Sequence, residues 1–454
     1  RCTPLLRGRT IWMINSTASG GGVAELLPAQ IGLLCELGVD VRWAVIEGPV
    51  EFFAFTKRLH NMIHGSPGVA PSADERALYE SVGRDNADQL RPLVKPDDIL
   101  VVHDPQPLLV GALLKDEIGA PALWRCHIGL EQESAHANTA WEFLRPYISA
   151  YDHHVFSLAE YAPDFVRDNA TVINPSIDPL SHKNRDLSLH KLVGILADSQ
   201  LTVPHWPLLD EPFGAPARRL QSIGSFAAAT EPDDIGLLAR PIVTQVSRWD
   251  RLKGFVPLLD AFVQFKRDGD GRSDERQRRR TQLARLVLAG PDPDAIQDDP
   301  EGSEVVDELR RRFMALPDAI RADVAILALP MASRKQNALM VNALQRSSDI
   351  VVQNSLREGF GLTVAEAMWK RIPILGSARA SGVKLQVRDG IEGRLTNDPE
   401  DADEVSQVLY EMLADPPQLE EWGRNAQRRV HDDFLIFTEL RRWLQVLTDL
   451  VVGP

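Results

Sequence analysis

Two stretches of this 454-residue sequence set charge beside glycine in the arrangement that chemistry on an anion needs. In Ser247-Arg248-Trp249-Asp250-Arg251-Leu252-Lys253-Gly254, Arg248 and Lys253 follow directly on the apolar run Pro241 to Val246. Two cations there suit a diphosphate, arginine gripping it as a fork and lysine acting as a point charge. In Arg357-Glu358-Gly359-Phe360-Gly361-Leu362-Thr363-Val364-Ala365-Glu366, two glutamates stand eight residues apart around two glycines. Gly359 and Gly361 let backbone amides come close to a sugar or a phosphate. Glu358 lies in a loop, where nothing local calls for a carboxylate. Glu366 can accept both hydroxyls of a vicinal diol such as a ribose, but Thr363-x-x-Glu366 also reads as a capping box.

Three weaker signals accompany these. Ser19-Gly20-Gly21-Gly22-Val23-Ala24-Glu25 joins a strand to a helix, and its glycines would let backbone amides reach an anion or a sugar hydroxyl at the helix start. His103-Asp104 and His127 close two apolar strands. The charge-dense run Lys266 to Arg280 reads as a solvated loop and helix start.

Elements that could position these groups recur along the chain. Apolar runs predict strands at Thr10 to Ile14, Val39 to Ile46, Ile99 to Val102, Ala122 to Cys126, His154 to Ser157 and Thr171 to Ile173. A helix is predicted from about Leu158. From Pro179 to Arg240 the rhythm weakens among Pro204, Pro207, Pro212 and Pro216. It restarts with strands at Pro241 to Val246, Ala284 to Ala289, Val324 to Leu327, Ile350 to Val352 and Pro373 to Leu375. Short buried strands alternating with helices predict an α/β fold of two Rossmann-like, doubly wound parallel sheets. The expected boundaries are 1–180, an irregular linker and insertion at 181–240, a second domain at 241–432, and a helix at 433–454 crossing back to the first domain. A cleft at the C-terminal edges of the two sheets would hold the ligands.

Composition bounds the partners. The chain has 50 Lys+Arg against 64 Asp+Glu, a net charge of −14, which opposes sequence-independent binding to nucleic acid. No apolar run is long enough to span a bilayer, and no membrane partner is expected. The three cysteines, Cys2, Cys35 and Cys126, are far apart, so neither a disulfide framework nor a structural zinc site is suggested and the cytoplasm is the simplest compartment. The chain lacks the P-loop, the GxGxxG fingerprint, HExxH and GxSxG.

The pairing of SRWDRLKG with EGFGLTVAE resembles the retaining glycosyltransferases of family four, which have the GT-B fold. NSTASGGGVAELL, WAVIEGPVEFFAFTKRLHN, HDPQP, WRCHIG, PSIDPLSHKN and SLREGFGLTVAEAMWK narrow the resemblance to the branch of trehalose glycosyltransferring synthases and trehalose phosphorylases. It implies a nucleoside diphosphate glucose on the second domain and a small sugar acceptor on the first. By motif, Arg248 and Lys253 would neutralise the departing diphosphate. Glu358 and the backbone of Gly359, Phe360, Gly361 and Leu362 would hold the donor sugar, with Gly21 and Gly22 also on the donor side. Glu366 would hold the ribose, and His127 would lie near the reacting carbon. Glu51, Phe52, Lys57, His60, Asn61, His103 and Asp104 are the acceptor-side candidates. Two positions depart from the branch: Gly129, where many members carry aspartate, and Ala380-Ser381-Gly382, where many carry a glycine pair.

The implied reaction is transfer of glucose with retention, most simply to glucose to give trehalose. No protein nucleophile is placed by motif, and no essential metal or cofactor is expected. The alternatives are a phosphorylase using inorganic phosphate, or a relative with another acceptor. A homodimer is left open.

Overall fold

The structure, a computed structural model, describes residues 3–18, 22–131, 134–203, 213–231, 233–269, 271, 274–293 and 300–452. The chain divides into two compact units, one of Arg1–Ser176 with Ile436–Pro454, the other of Ile177–Leu435. Each has its own sheet and its own core.

Unit one is built on strands β1 (Thr10–Asn15), β2 (Asp40–Val45), β3 (Ile99–His103), β4 (Ala122–Cys126), β5 (His153–Phe156) and β6 (Ala170–Val172). They form one parallel sheet in the order β2-β1-β3-β4-β5-β6. β3 and β4 are buried along their whole length, which is why they read as unbroken apolar runs. Ile11, Met13, Val101, Leu123 and Val155 share a core with Trp443 and Leu447 of the last helix, Ile436–Val452. Arg125 is the exception inside β4. Its buried Nη2 donates to Ile173 O at 2.8 Å, and burial lowers its pKa from the ordinary value, against the opposing charge of Glu439 on the last helix. After β5 the chain makes two short 3-10 turns, Ala159–Tyr161 and Asp164–Asn169, where a helix was expected. Pro163 between them lacks the N–H that a continuing helix requires.

Unit two carries β7 (Arg218–Leu220), β8 (Phe226–Ala228), β9 (Ile242–Val246), β10 (Arg285–Pro291), β11 (Val324–Leu329), β12 (Ile350–Gln353), β13 (Ile374–Ser377) and β14 (Gly393–Thr396). The order is β14-β13-β12-β9-β10-β11-β7-β8, parallel from β14 to β11, with β7 and β8 antiparallel at one edge. This changes the view of residues 181–240. Instead of standing apart as a linker, their described part contributes β7, β8 and the helix Leu189–Asp198. Leu192, Leu196 and Ala217 pack in one core with Val287 and Leu327 of the sheet. Among the described residues, no helix is long and apolar enough to cross a membrane.

Candidate active site

In unit two, β9 and β12 are adjacent and parallel, so the loops after them leave the same edge of the sheet. That register brings Lys253 to Glu358 across 105 positions of sequence, Nζ to Oε2 at 2.5 Å. Both side chains are largely buried, 15% and 12% exposed. Gln353 Nε2 donates to the same carboxylate oxygen at 3.0 Å, and Ser355 Oγ lies 3.4 Å from it. Beneath the pair, the buried amide of Gln245 ties the two loops together. It donates to Lys253 O at 2.8 Å and accepts from Asn354 N at 3.0 Å. Leu356 N donates to Leu252 O at 2.8 Å, a further staple.

Lys253 thus neutralises Glu358 rather than sharing a pocket with Arg248. Arg248 is 71% exposed and, among the described residues, makes a loose pair with Asp250 at 3.6 Å. The expected convergence of two cations is not present here.

The helix Leu362–Trp369 starts at Gly361, whose φ of +78° is one that a side chain disfavours. Gly361, as the N-cap residue, has no side chain with which to cap this helix. The capping box at Thr363 is therefore absent, because Gly361 occupies the cap position and Thr363 Oγ1 donates to Gln353 Oε1 at 3.0 Å. Val364 N turns back to donate to Gly361 O at 2.9 Å, and a helix start of this kind favours an anion. Phe360 contributes only backbone here, since its ring packs edge-on against Phe434 at 5.5 Å. Gly382 lies against this loop, and a Cβ on it would fall 2.4 Å from Phe360 Cα.

Glu366 is 4% exposed, and its Oε2 has no hydrogen-bond partner among the described residues. Its other oxygen lies 3.5 Å from Lys183 Nζ. A buried carboxylate oxygen without a donor is costly unless a ligand supplies one.

In unit one, β3 and β4 bring His103 and His127 together in the same way. His103 Nδ1 and His127 Nε2 are 3.2 Å apart, with nearly parallel rings at 5.5 Å. Burial draws His103 down to about 3 and His127 well below its ordinary value, and the nearby Arg125 charge adds to both. Both imidazoles are neutral at neutral pH. His103 is only 2% exposed, so it supports His127 from behind and is not placed to touch an acceptor. Asp104 is likewise a support. Its φ is +63°, Oδ1 accepts from His127 N at 2.8 Å, and its carbonyl accepts from Trp124 Nε1 at 3.0 Å. Burial raises its carboxyl to about 6, against the opposing effects of the His127 amide and Arg125.

The remaining acceptor candidates sit on the helix Val50–Ile63. Lys57, His60 and Asn61 share one stripe at helical spacing, and His64 continues it one turn on. Glu51 and Phe52 lie off that stripe. Phe52 is a core residue, 1% exposed and stacked on Tyr79 at 6.0 Å, and offers no surface to a sugar. His64 was not anticipated, although its i+4 relation to His60 signals it. Its ring lies 5.0 Å from that of His60, and it hydrogen-bonds the backbone of Gly129. It thereby links the stripe to the loop carrying His127. At Gly129 a Cβ would fall 2.3 Å from Tyr161 Cβ, so Tyr161 fills the space a side chain there would need. Gly21 lies outside the described residues, and Gly22 opens the helix Gly22–Glu36.

The chain is similar to known proteins along nearly its whole length. Residues 13–163 match the N-terminal domain family of trehalose synthase, and residues 231–429 match the glycosyl transferases group 1 family. A trehalose synthase from Pyrococcus horikoshii is 36% identical over 447 residues, spanning 98% of this chain and 91% of its own. A trehalose phosphorylase from Pleurotus pulmonarius is 26% identical over 452 residues, spanning 96% of this chain and 56% of its own. A solved UDP-forming α,α-trehalose-phosphate synthase from Burkholderia xenovorans shares the fold, with a TM-score of 0.66 at 18% identity over 98% of this chain and 99% of that one.

Proposed function

Because the chain belongs to the trehalose synthase family of group 1 glycosyltransferases, we propose that it transfers glucose from a nucleoside diphosphate glucose to glucose, forming trehalose. The fold is GT-B and the enzyme a hexosyltransferase acting on trehalose-related sugars. The choice of a nucleotide donor rests on one observation, the buried and unpartnered Oε2 of Glu366. A ribose diol brings neutral hydroxyl donors to this oxygen, whereas inorganic phosphate would bring negative charge beside a carboxylate.

On this reading, the donor diphosphate draws Lys253 away from Glu358. Glu358 then accepts hydroxyls of the donor glucose, while Lys253 and the exposed Arg248 carry the charge developing on the departing phosphate. The amides at the start of Leu362–Trp369 add to that field. The bond from the anomeric carbon to the phosphate oxygen breaks as the acceptor oxygen bonds to the same face of that carbon. The acceptor's proton passes to the departing phosphate, so the configuration is retained without a protein nucleophile. His127, neutral and held by Asp104, suits a sugar hydroxyl better than an anion, and Lys57, His60, Asn61 and His64 form the acceptor-side stripe. With two cations supplying the charge, no divalent ion is essential. Activity that falls with a chelator and returns with metal would refute that point.

The test is incubation with glucose and a panel of nucleoside diphosphate glucoses, reading released nucleotide and the disaccharide linkage. Trehalose formed in step with nucleoside diphosphate is expected. Glucose 1-phosphate made from trehalose and phosphate, with no reaction from any nucleotide sugar, would overturn the reading in favour of a phosphorylase.

A further inference from the structure

The turn Asp178 to Asp186 belongs to a motif to which the chemistry above gives no part, yet it is among the most firmly held loops of unit two. Asp178 starts it. Leu180 N donates to its carboxylate at 2.8 Å, and Asn184 Nδ2 donates to its carbonyl at 3.0 Å. Two helices then grip the far side. Asn342 Nδ2 donates to His182 O at 3.1 Å and Arg185 O at 3.0 Å. Arg346 pairs with Asp186 at 3.1 Å and is itself oriented by Asn342. The buried ammonium of Lys370 donates to Asn184 Oδ1 at 3.2 Å, Gln345 Oε1 at 2.8 Å and Glu366 O at 2.8 Å. All these contacts fix the backbone around one residue, Lys183.

Lys183 is half-exposed, and its Nζ lies 3.5 Å from Glu366 Oε1. The other oxygen of Glu366 is buried and has no hydrogen-bond partner among the described residues. The pair is therefore incomplete in a particular way. One oxygen is approached by a cation from the turn, and the other awaits a donor. A ribose laid across the carboxylate would give its hydroxyls to Glu366, and one ribose oxygen could take a hydrogen bond from the ammonium beside it. Ammonium and carboxylate together present both a donor and an acceptor to a diol, which a carboxylate alone cannot do.

We propose that Lys183 is a second ribose-recognition residue, acting with Glu366 to select a ribonucleoside diphosphate, and that Asn342, Arg346 and Lys370 are positioning residues that hold its turn in place. This rests on the nucleotide-donor reading above. It predicts selectivity for the ribose 2′-hydroxyl, a property that reading alone does not require of Lys183.

The experiment measures dissociation constants by calorimetry on the full chain for UDP, ADP and GDP, and for the 2′-deoxy form of the tightest binder. Wild type is compared with Lys183→Ala, and a thermal melt controls for folding. Lys183 is partly exposed, so the variant is expected to melt with wild type. The proposal expects wild type to prefer the ribose form, and Lys183→Ala to bind it about tenfold more weakly with the preference lost, as for one charge-assisted contact. A variant that keeps both affinity and preference overturns the role of Lys183 and leaves the donor reading standing. A variant weakened equally toward both forms also overturns it, because the lysine then acts as surface charge only. Wild type that binds no nucleoside diphosphate overturns the donor reading itself, and this proposal with it.

Discussion

In unit two, Lys253 and Glu358 are largely buried and meet as a cation and a carboxylate. In unit one, His60, His103 and His127 are also withdrawn from water, but burial drives each toward its neutral form. Both clusters stand at the C-terminal edge of a parallel sheet or beside it, and both are built by neighbouring strands. The difference lies in compensation. Gln353 and the opposing charge satisfy the pair in unit two, so charge survives burial there. In unit one, burial first and neighbouring positive groups second oppose a positive imidazole, so these three rings are held neutral. A region that keeps charge suits a diphosphate. A region that expels it suits sugar hydroxyls.

Breaking the charged side should have the largest effect. Lys253→Ala removes the cation proposed to stabilise the departing phosphate, and kcat should fall by about 10²–10³-fold, as for loss of one preorganised transition-state contact. Steady-state kinetics at saturating substrates checks this, and near-normal turnover would dismantle the donor assignment. Gly382→Ala attacks the same side through packing. The new methyl would press on the Phe360 backbone, and about 1–3 kcal/mol of stability should be lost, with a rise in donor KM. A denaturant titration together with donor kinetics reads both effects.

Glu366→Ala should weaken nucleotide binding about tenfold, the worth of about 1.4 kcal/mol. It should leave the melting temperature nearly unchanged, because no capping box is present to lose. A drop in stability with unchanged nucleotide affinity would reverse that assignment.

The smallest effect sharpens the neutral side. Burial holds His60 at about 3, with its neighbours His64 and Lys57 adding to the shift. The unfolded chain takes up a proton below about 6.5 that the folded chain refuses. Stability contributed by the neutral form is therefore complete above that pH and is lost as pH falls from about 6.5 toward 3. Melting curves between pH 7.5 and 4.5 should show this loss, and His60→Gln should make it shallower, His103 and His127 supplying the remainder. Equal slopes for the two proteins would mean that His60 is not held neutral.

Much of the fold was legible because buried parallel strands are unbroken apolar runs, and β3, β4 and β12 stand where those runs do. β7 (RRL), β8 (FAA) and β14 (GRLT) were not legible because they carry no run of large apolar residues. The donor motifs were legible as residue types. Their partnerships were not. Arg248 and Lys253 looked alike on the page, yet one is exposed and the other locked to Glu358. Gln245 and Gln353 carry no local signal strong enough to mark them, whereas His64 is signalled by its helical spacing after His60 and Lys183 by its place in PSIDPLSHKN.

What the sequence determined by itself was local: apolar runs that must be buried, glycines that leave room for backbone, and carboxylates and cations set at loop positions after strands. Capping, pairing and burial were decided only by the tertiary structure. The reason is physical. Whether a carboxylate is capped, paired or left waiting for a ligand depends on which distant groups the sheet register brings within about 3 Å. Lys253 and Glu358 meet through the register of β9 and β12, and Lys183 reaches Glu366 through a turn that two helices hold.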